Sequence, residues 1–281
     1  MRWKDRRRST NVDDRRGQSM KKGAAIGGGG IIMALIAIFL LGKDPAQVMQ
    51  GMQQQQAQTP QQSKPYQSSP QEEAVKDFMS VVMADTEDTW GRIFQNAGQQ
   101  YPPPTLVLYS GATQTACGVG QAASGPFYCP GDQDIYIDMA FLNELQRMGA
   151  SGDFAVAYVL AHEVGHHIQT ITGTSSKVRQ RQARARSKAE ANDLQVRMEL
   201  QADCYAGVWA NHTQQRTQFL ERGDVEEAIK AAASVGDDTI MQRAGIPPRK
   251  ENFTHGTSQQ RMQWFNRGIQ SGDIRQCDTG I

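Results

Sequence analysis

Three of the chain's five histidines fall within six positions, His162, His166 and His167, and Glu163 stands beside the first. His162 and His166 are four apart, so on a helix they project from one side, one turn from each other. That is the geometry two imidazoles need to share one metal ion. Glu163 sits about 100° further round, close enough to take a proton from a water without being a ligand itself. The H-E-x-x-H pattern therefore supplies two zinc ligands and a general base.

A hydrolytic zinc site needs a third protein ligand and an open fourth position. The residues after His166 (HIQTIT, 167–172) contain no further histidine one turn on, so the third ligand must come from elsewhere. Downstream, RMELQADCYAG (197–207) carries Glu199 and Asp203, again four apart. Glu199 can complete the metal set. Asp203 can accept the free ring N–H of a ligand histidine, fixing its tautomer. His167 points to another face, as a residue that supports the metal site or has a structural role. His212 reads as a helix-end residue.

The elements that position these residues can be read from periodicity. Phe154, Ala157, Leu160, Val164, Ile168 and Ile171 recur every three or four positions and give a helix over 153–172 with an apolar face. A second helix covers 193–211, others cover 139–148 and the run from Phe78 to about residue 98, and more follow to the end. Residues 105–111 (TLVLYSG) read as a strand, and a second extended segment lies in 125–138 (GPFYCPGDQDIYID). The stretch 177–188 holds six Lys/Arg and no acid, and reads as a solvated connecting helix. The fold class expected is α+β, mostly helical, with a small β-sheet built from about 105–138.

The chain has 30 Lys/Arg and 29 Asp/Glu; residues 1–23 take nine and three of these, leaving 21 basic against 26 acidic. The basic start is followed by nineteen residues, 24–42, with no charge, about 28 Å as a helix and near the thickness of a hydrocarbon core. The expectation is a basic cytoplasmic tail (1–23), one transmembrane signal anchor (24–42), a disordered Gln/Pro/Ser-rich linker (43–72) and a catalytic domain (73–281). This places the protein in the inner membrane, single-pass, with its domain outside the cytoplasm, and no nucleic acid is expected as a partner. Cys117, Cys129, Cys204 and Cys277 all follow the apolar stretch, and an even count in an exported domain indicates disulfides. Cys117 and Cys129 flank a short Gly-rich loop and form the first expected pair, which leaves Cys204 with Cys277.

HEVGHHIQ, ELQADCYAG and THGTSQQR (254–261) together resemble the putative neutral zinc metallopeptidase family, membrane-anchored bacterial proteins of the gluzincin group, over essentially the whole chain. The resemblance implies a zincin-like fold, one zinc ion per chain, His162, His166 and Glu199 as ligands, and Glu163 as the base. The chemistry expected is metal-assisted hydrolysis of a peptide or protein substrate. Glu163 takes a proton from water and returns it to the leaving amine. His255 and Arg261, with Tyr205 behind them, are the candidates for stabilising the oxyanion. The alternative is a zinc-binding scaffold of the cell envelope that recruits without cleaving; such a protein has no use for Glu163.

Overall fold

A computed structural model describes residues 1–18, 66–121 and 125–281. The expected membrane anchor and most of the expected linker lie outside the described residues. Among the described residues no helix is long and apolar enough to cross a membrane.

Helix α1 (Pro70–Asn96) starts three residues before the expected domain boundary, for a local reason. The Ser69 hydroxyl accepts from the Glu72 N–H, and the Glu72 carboxylate accepts from the Ser69 N–H, with Pro70 in the first turn. This capping box satisfies two N–H groups that the helix end leaves free.

Four strands form one sheet in the order β1–β2–β6–β5: β1 (Val12–Asp14), β2 (Leu106–Tyr109), β6 (Asp134–Asp138) and β5 (Phe127–Cys129). β1, β2 and β6 run parallel, and β5 is an antiparallel edge strand. All four residues of β2 are buried, as a parallel strand covered on both faces requires. β3 (Ala112–Thr115) and β4 (Gly118–Gln121) form a separate hairpin. Both expected disulfides are present, Cys117–Cys129 and Cys204–Cys277. The first ties the hairpin to the end of β5.

The described part of the basic tail packs against the domain. Met1–Arg15 and Ser69–Ile281 form one compact unit. β1 hydrogen-bonds to β2, Trp3 packs edge-on against Phe78, and the Met1 ammonium lies 2.8 Å from Asp153 and 3.4 Å from Asp224. The arginines that read as a cytoplasmic charge cluster are matched to acids of α1. Arg6 pairs with Asp85, Arg7 with Glu87 and Asp88, and Arg8 with Asp77. Charge counting along a chain cannot see such partners.

The remaining helices are α2 (Phe141–Arg147), α3 (Asp153–Ile171), α4 (Thr174–Gln182), α5 (Lys188–Thr217), α6 (Asp224–Ser234), α7 (Asp237–Arg243) and α8 (Ser258–Ser271). α3 lies at the centre of the apolar core, packed on α1, α5 and α6. It crosses α5 at Gly165, where an added Cβ would come within 3.0 Å of the Ala202 Cα. A side chain there would push the two helices apart by a few tenths of an ångström. Gly165 lies between His162 and His166, and Ala202 between Glu199 and Asp203, so this crossing brings the two pairs face to face. α8 lies equally tightly on α5: a Cβ at Gly268 would fall 2.0 Å from the Cys204 carbonyl oxygen.

Candidate metal centre

His162, His166 and Glu199 each present one ligand atom, and these atoms lie within 4.8 Å of one another. The Glu199 Oε2 is 3.2 Å from the His162 Nε2 and 3.6 Å from the His166 Nε2. All three side chains are largely buried.

Each ligand is oriented by a second side chain. The His162 Nδ1–H donates to Asp203 Oδ1 at 2.8 Å, and the His166 Nδ1–H donates to Gln169 Oε1 at 2.9 Å. Both Nε2 atoms are therefore turned towards Glu199. Gln195 Nε2 donates to Glu199 Oε1 at 3.0 Å, which leaves Oε2 for the histidine side. Two imidazole nitrogens and one carboxylate oxygen, converging with their other atoms already satisfied, form the donor set a zinc ion takes.

The metal-free electrostatics follow from this crowding. Burial opposes a charged imidazole, but Glu199 outweighs it and lifts His166 to about 9. Burial opposes it at His162 as well, where Asp203 wins and raises the pKa. Burial also works against the Glu199 carboxylate, yet the two histidines hold it well below its ordinary range.

Asp203 is fully buried and anchors more than His162. Its Oδ1 also accepts from the Tyr158 hydroxyl at 2.5 Å and from Arg261 at 2.8 Å, while Oδ2 accepts from Arg261 Nε at 2.8 Å. Burial resists ionisation of this carboxyl, but Arg261 and His162 bring it down to about 2. Arg261, a candidate for the oxyanion beside His255, is thus buried and bonded to Asp203, and it also lines the cavity. Tyr205 packs edge-on against Trp90 and does not line the cavity.

Glu163 and His255 line the cavity beside the ligands, together with Tyr128, Phe127 and Val159. The cavity holds about 640 Å³. The Glu163 carboxylate accepts no hydrogen bond from the described residues, which leaves it available to water. His255 is half-exposed, and its Nδ1 lies 3.2 Å from Asp237 Oδ1. Asp237 Oδ2 accepts from three successive backbone N–H groups, Thr254, His255 and Gly256, and so holds the loop that carries His255. Asp237 starts α7, 18 residues before His255, and only the tertiary fold joins the two.

Of the two roles expected for His167, its contacts fit the structural one. Its Nε2–H donates to the Pro102 carbonyl at 2.7 Å, and its Nδ1 lies 3.2 Å from the Tyr128 hydroxyl. It fastens the edge strand β5 to α3. His212 lies inside α5, which runs on to Thr217, and not at a helix end as expected; it donates to the Gly272 carbonyl at the end of α8.

The model of the putative neutral zinc metallopeptidase family matches residues 1–280. The chain belongs to that family. It is 47% identical to the uncharacterized protein YpfJ of Escherichia coli K12, over 99% of this chain and 98% of that protein. It is 42% identical to the uncharacterized protein Mb2605 of Mycobacterium bovis, over 64% of this chain and 63% of that protein. No solved structure matches it. Family membership and the converging donor set both imply zinc at this centre.

Proposed function

We propose that this member of the family is a zinc-dependent endopeptidase, with His162, His166 and Glu199 as ligands and Glu163 as general base. The observation that carries the reading is the approach of three oriented ligand atoms to within 4.8 Å at a cavity that also holds Glu163. Zinc, when bound, supplies Lewis-acid polarisation of a carbonyl oxygen and acidifies water to a pKa of about 7.

The chain's own residues supply the rest. Glu163 takes a proton from water at its carboxylate and later passes it to the leaving nitrogen. His255 in its cationic form gives its Nδ1–H to Asp237 and keeps its Nε2–H for the negative charge that develops on the carbonyl oxygen. β5 is the sheet edge, and Phe127 and Tyr128 from it line the cavity. A peptide laid along β5 gains main-chain hydrogen bonds and passes the metal ligands in an extended form. His167 keeps that edge in place.

The two disulfides support work in an oxidising compartment outside the cytoplasm. The uncharged residues 24–42 support attachment to a membrane. The test is peptide cleavage by the zinc-loaded chain and by Glu163→Gln: the wild type cleaves, and the variant holds zinc but does not.

A further inference from the structure

Gln169 and Gln201 are buried in a protein interior where a neutral amide must place all its hydrogen bonds. Neither lines the cavity. Their bonds run in one line. Gln169 Oε1 takes the Nδ1–H of His166 at 2.9 Å. Its Nε2 donates to the Met198 carbonyl at 2.7 Å and to Gln201 Oε1 at 3.1 Å. Gln201 Nε2 then donates to the carbonyl of Cys277 at 3.1 Å, and Cys277 is bonded covalently to Cys204.

We infer that Gln169 and Gln201 are positioning residues for the metal ligand His166, a two-amide relay that makes the disulfide-fixed C-terminal segment part of the metal centre's support. The direction of each bond is dictated by chemistry. His166 offers an N–H on Nδ1 when its Nε2 faces a metal, so Gln169 must present its oxygen. Its amide nitrogen then has to find acceptors, and the Met198 carbonyl and Gln201 oxygen are those acceptors. Gln201, having given its oxygen, must place its own nitrogen, and the Cys277 carbonyl takes it. Removal of Gln169 leaves the His166 Nδ1–H without this partner and frees the ring to turn, and removal of Gln201 takes away one of the two acceptors that hold the Gln169 amide.

The segment is held at several further points. Thr279 Oγ1 donates to the Arg197 carbonyl, and Arg197 donates to the Thr279 carbonyl. Cys204 also directly follows Asp203, the partner of His162. One disulfide therefore lies behind the supports of both ligand histidines.

The inference rests on the metal-binding part of the proposed function, not on peptide hydrolysis, and its test reads metal affinity. The full chain is stripped of metal. Its zinc dissociation constant is measured by competition with a chromophoric chelator for wild type, Gln169→Leu, Gln201→Leu and the double variant. Melting of each metal-free form and the visible spectrum of each cobalt-loaded form are recorded alongside. The relay predicts a 10–100-fold weaker constant for Gln169→Leu, a shift in the same direction for Gln201→Leu, and altered cobalt bands in both. The double variant is no weaker than Gln169→Leu alone, because both lesions break one line. Gln201→Leu touches no ligand and decides the matter if Gln169→Leu does not fold. Single variants that bind as the wild type does, or single losses that multiply in the double variant, overturn the relay. A wild type that binds no zinc removes the metal centre itself, and the relay with it.

Discussion

Asp203 Oδ1 lies 2.8 Å from the Nδ1 of His162 and accepts at the same time from Tyr158 and Arg261. One carboxylate oxygen thus joins a metal ligand to a buried guanidinium. Asp203→Ala removes both functions. Zinc affinity is expected to fall 10–100-fold, and the buried Arg261 charge is left unpaired at a cost of about 3–5 kcal/mol. Denaturant unfolding of the metal-free chain reads the second effect separately. Equal stability of wild type and variant would contradict the account of this network.

His255 and Asp237 make the second prediction. His255→Ala removes the donor for the developing negative charge and is expected to lower kcat about 10²–10³-fold, with the zinc dissociation constant unchanged. Asp237→Asn, which loosens the loop and the imidazole together, shifts kcat in the same direction by less. Steady-state kinetics on any peptide the wild type cleaves decide it. Loss of zinc in either variant would place these residues in the metal site.

Zinc uptake must displace protons. In the metal-free chain burial disfavours the imidazolium of His166, but Glu199 holds its pKa at about 9. The ring is therefore protonated at pH 7.5, and binding needs it neutral. The expected result is release of about one proton or more per zinc at pH 7.5, with affinity rising as pH increases and levelling off above about 9. Calorimetric titration in two buffers of different ionisation enthalpy counts the protons, and a count of zero contradicts the charge arrangement.

The packing of β1 predicts where residue 10 resides. Thr10 is exposed, and every native cysteine is in a disulfide. Thr10→Cys therefore gives the full chain one free thiol. In intact cells a membrane-impermeant maleimide is expected to label it on the same side as a thiol at Gln180→Cys in the domain. Labelling of position 180 with protection of position 10 until lysis would contradict this and favour the single-crossing arrangement. A chain cut at residue 73 also loses β1 and the Ser69 cap, so its stability is expected to fall below that of the full chain.

The four ligand-side residues His162, His166, Glu199 and Asp203 were legible because helical spacing alone puts each pair on one face. Both disulfides were legible because four cysteines allow few pairings and one pair flanks a short loop. Gln169, Gln195, Tyr158 and Asp237 were not, because their partners lie on other elements or depend on which rotamer a crossing at Gly165 selects. A glutamine carries no motif. β1 was not legible either: three residues with two aspartates carry no strand pattern, and their pairing is decided by the edge that β2 offers opposite β6. The arginines around it are equally basic whether they face cytoplasm or the acids of α1.

The most direct measurement is made on the full chain, with disulfides intact. Bound zinc per chain and cleavage of a diverse peptide library are measured for wild type, Glu163→Gln and Glu199→Ala. The account predicts one zinc and cleavage for wild type, one zinc and no cleavage for Glu163→Gln, and loss of zinc for Glu199→Ala. Stoichiometric zinc with cleavage undiminished in Glu163→Gln, or zinc retained in Glu199→Ala at wild-type affinity, would contradict it.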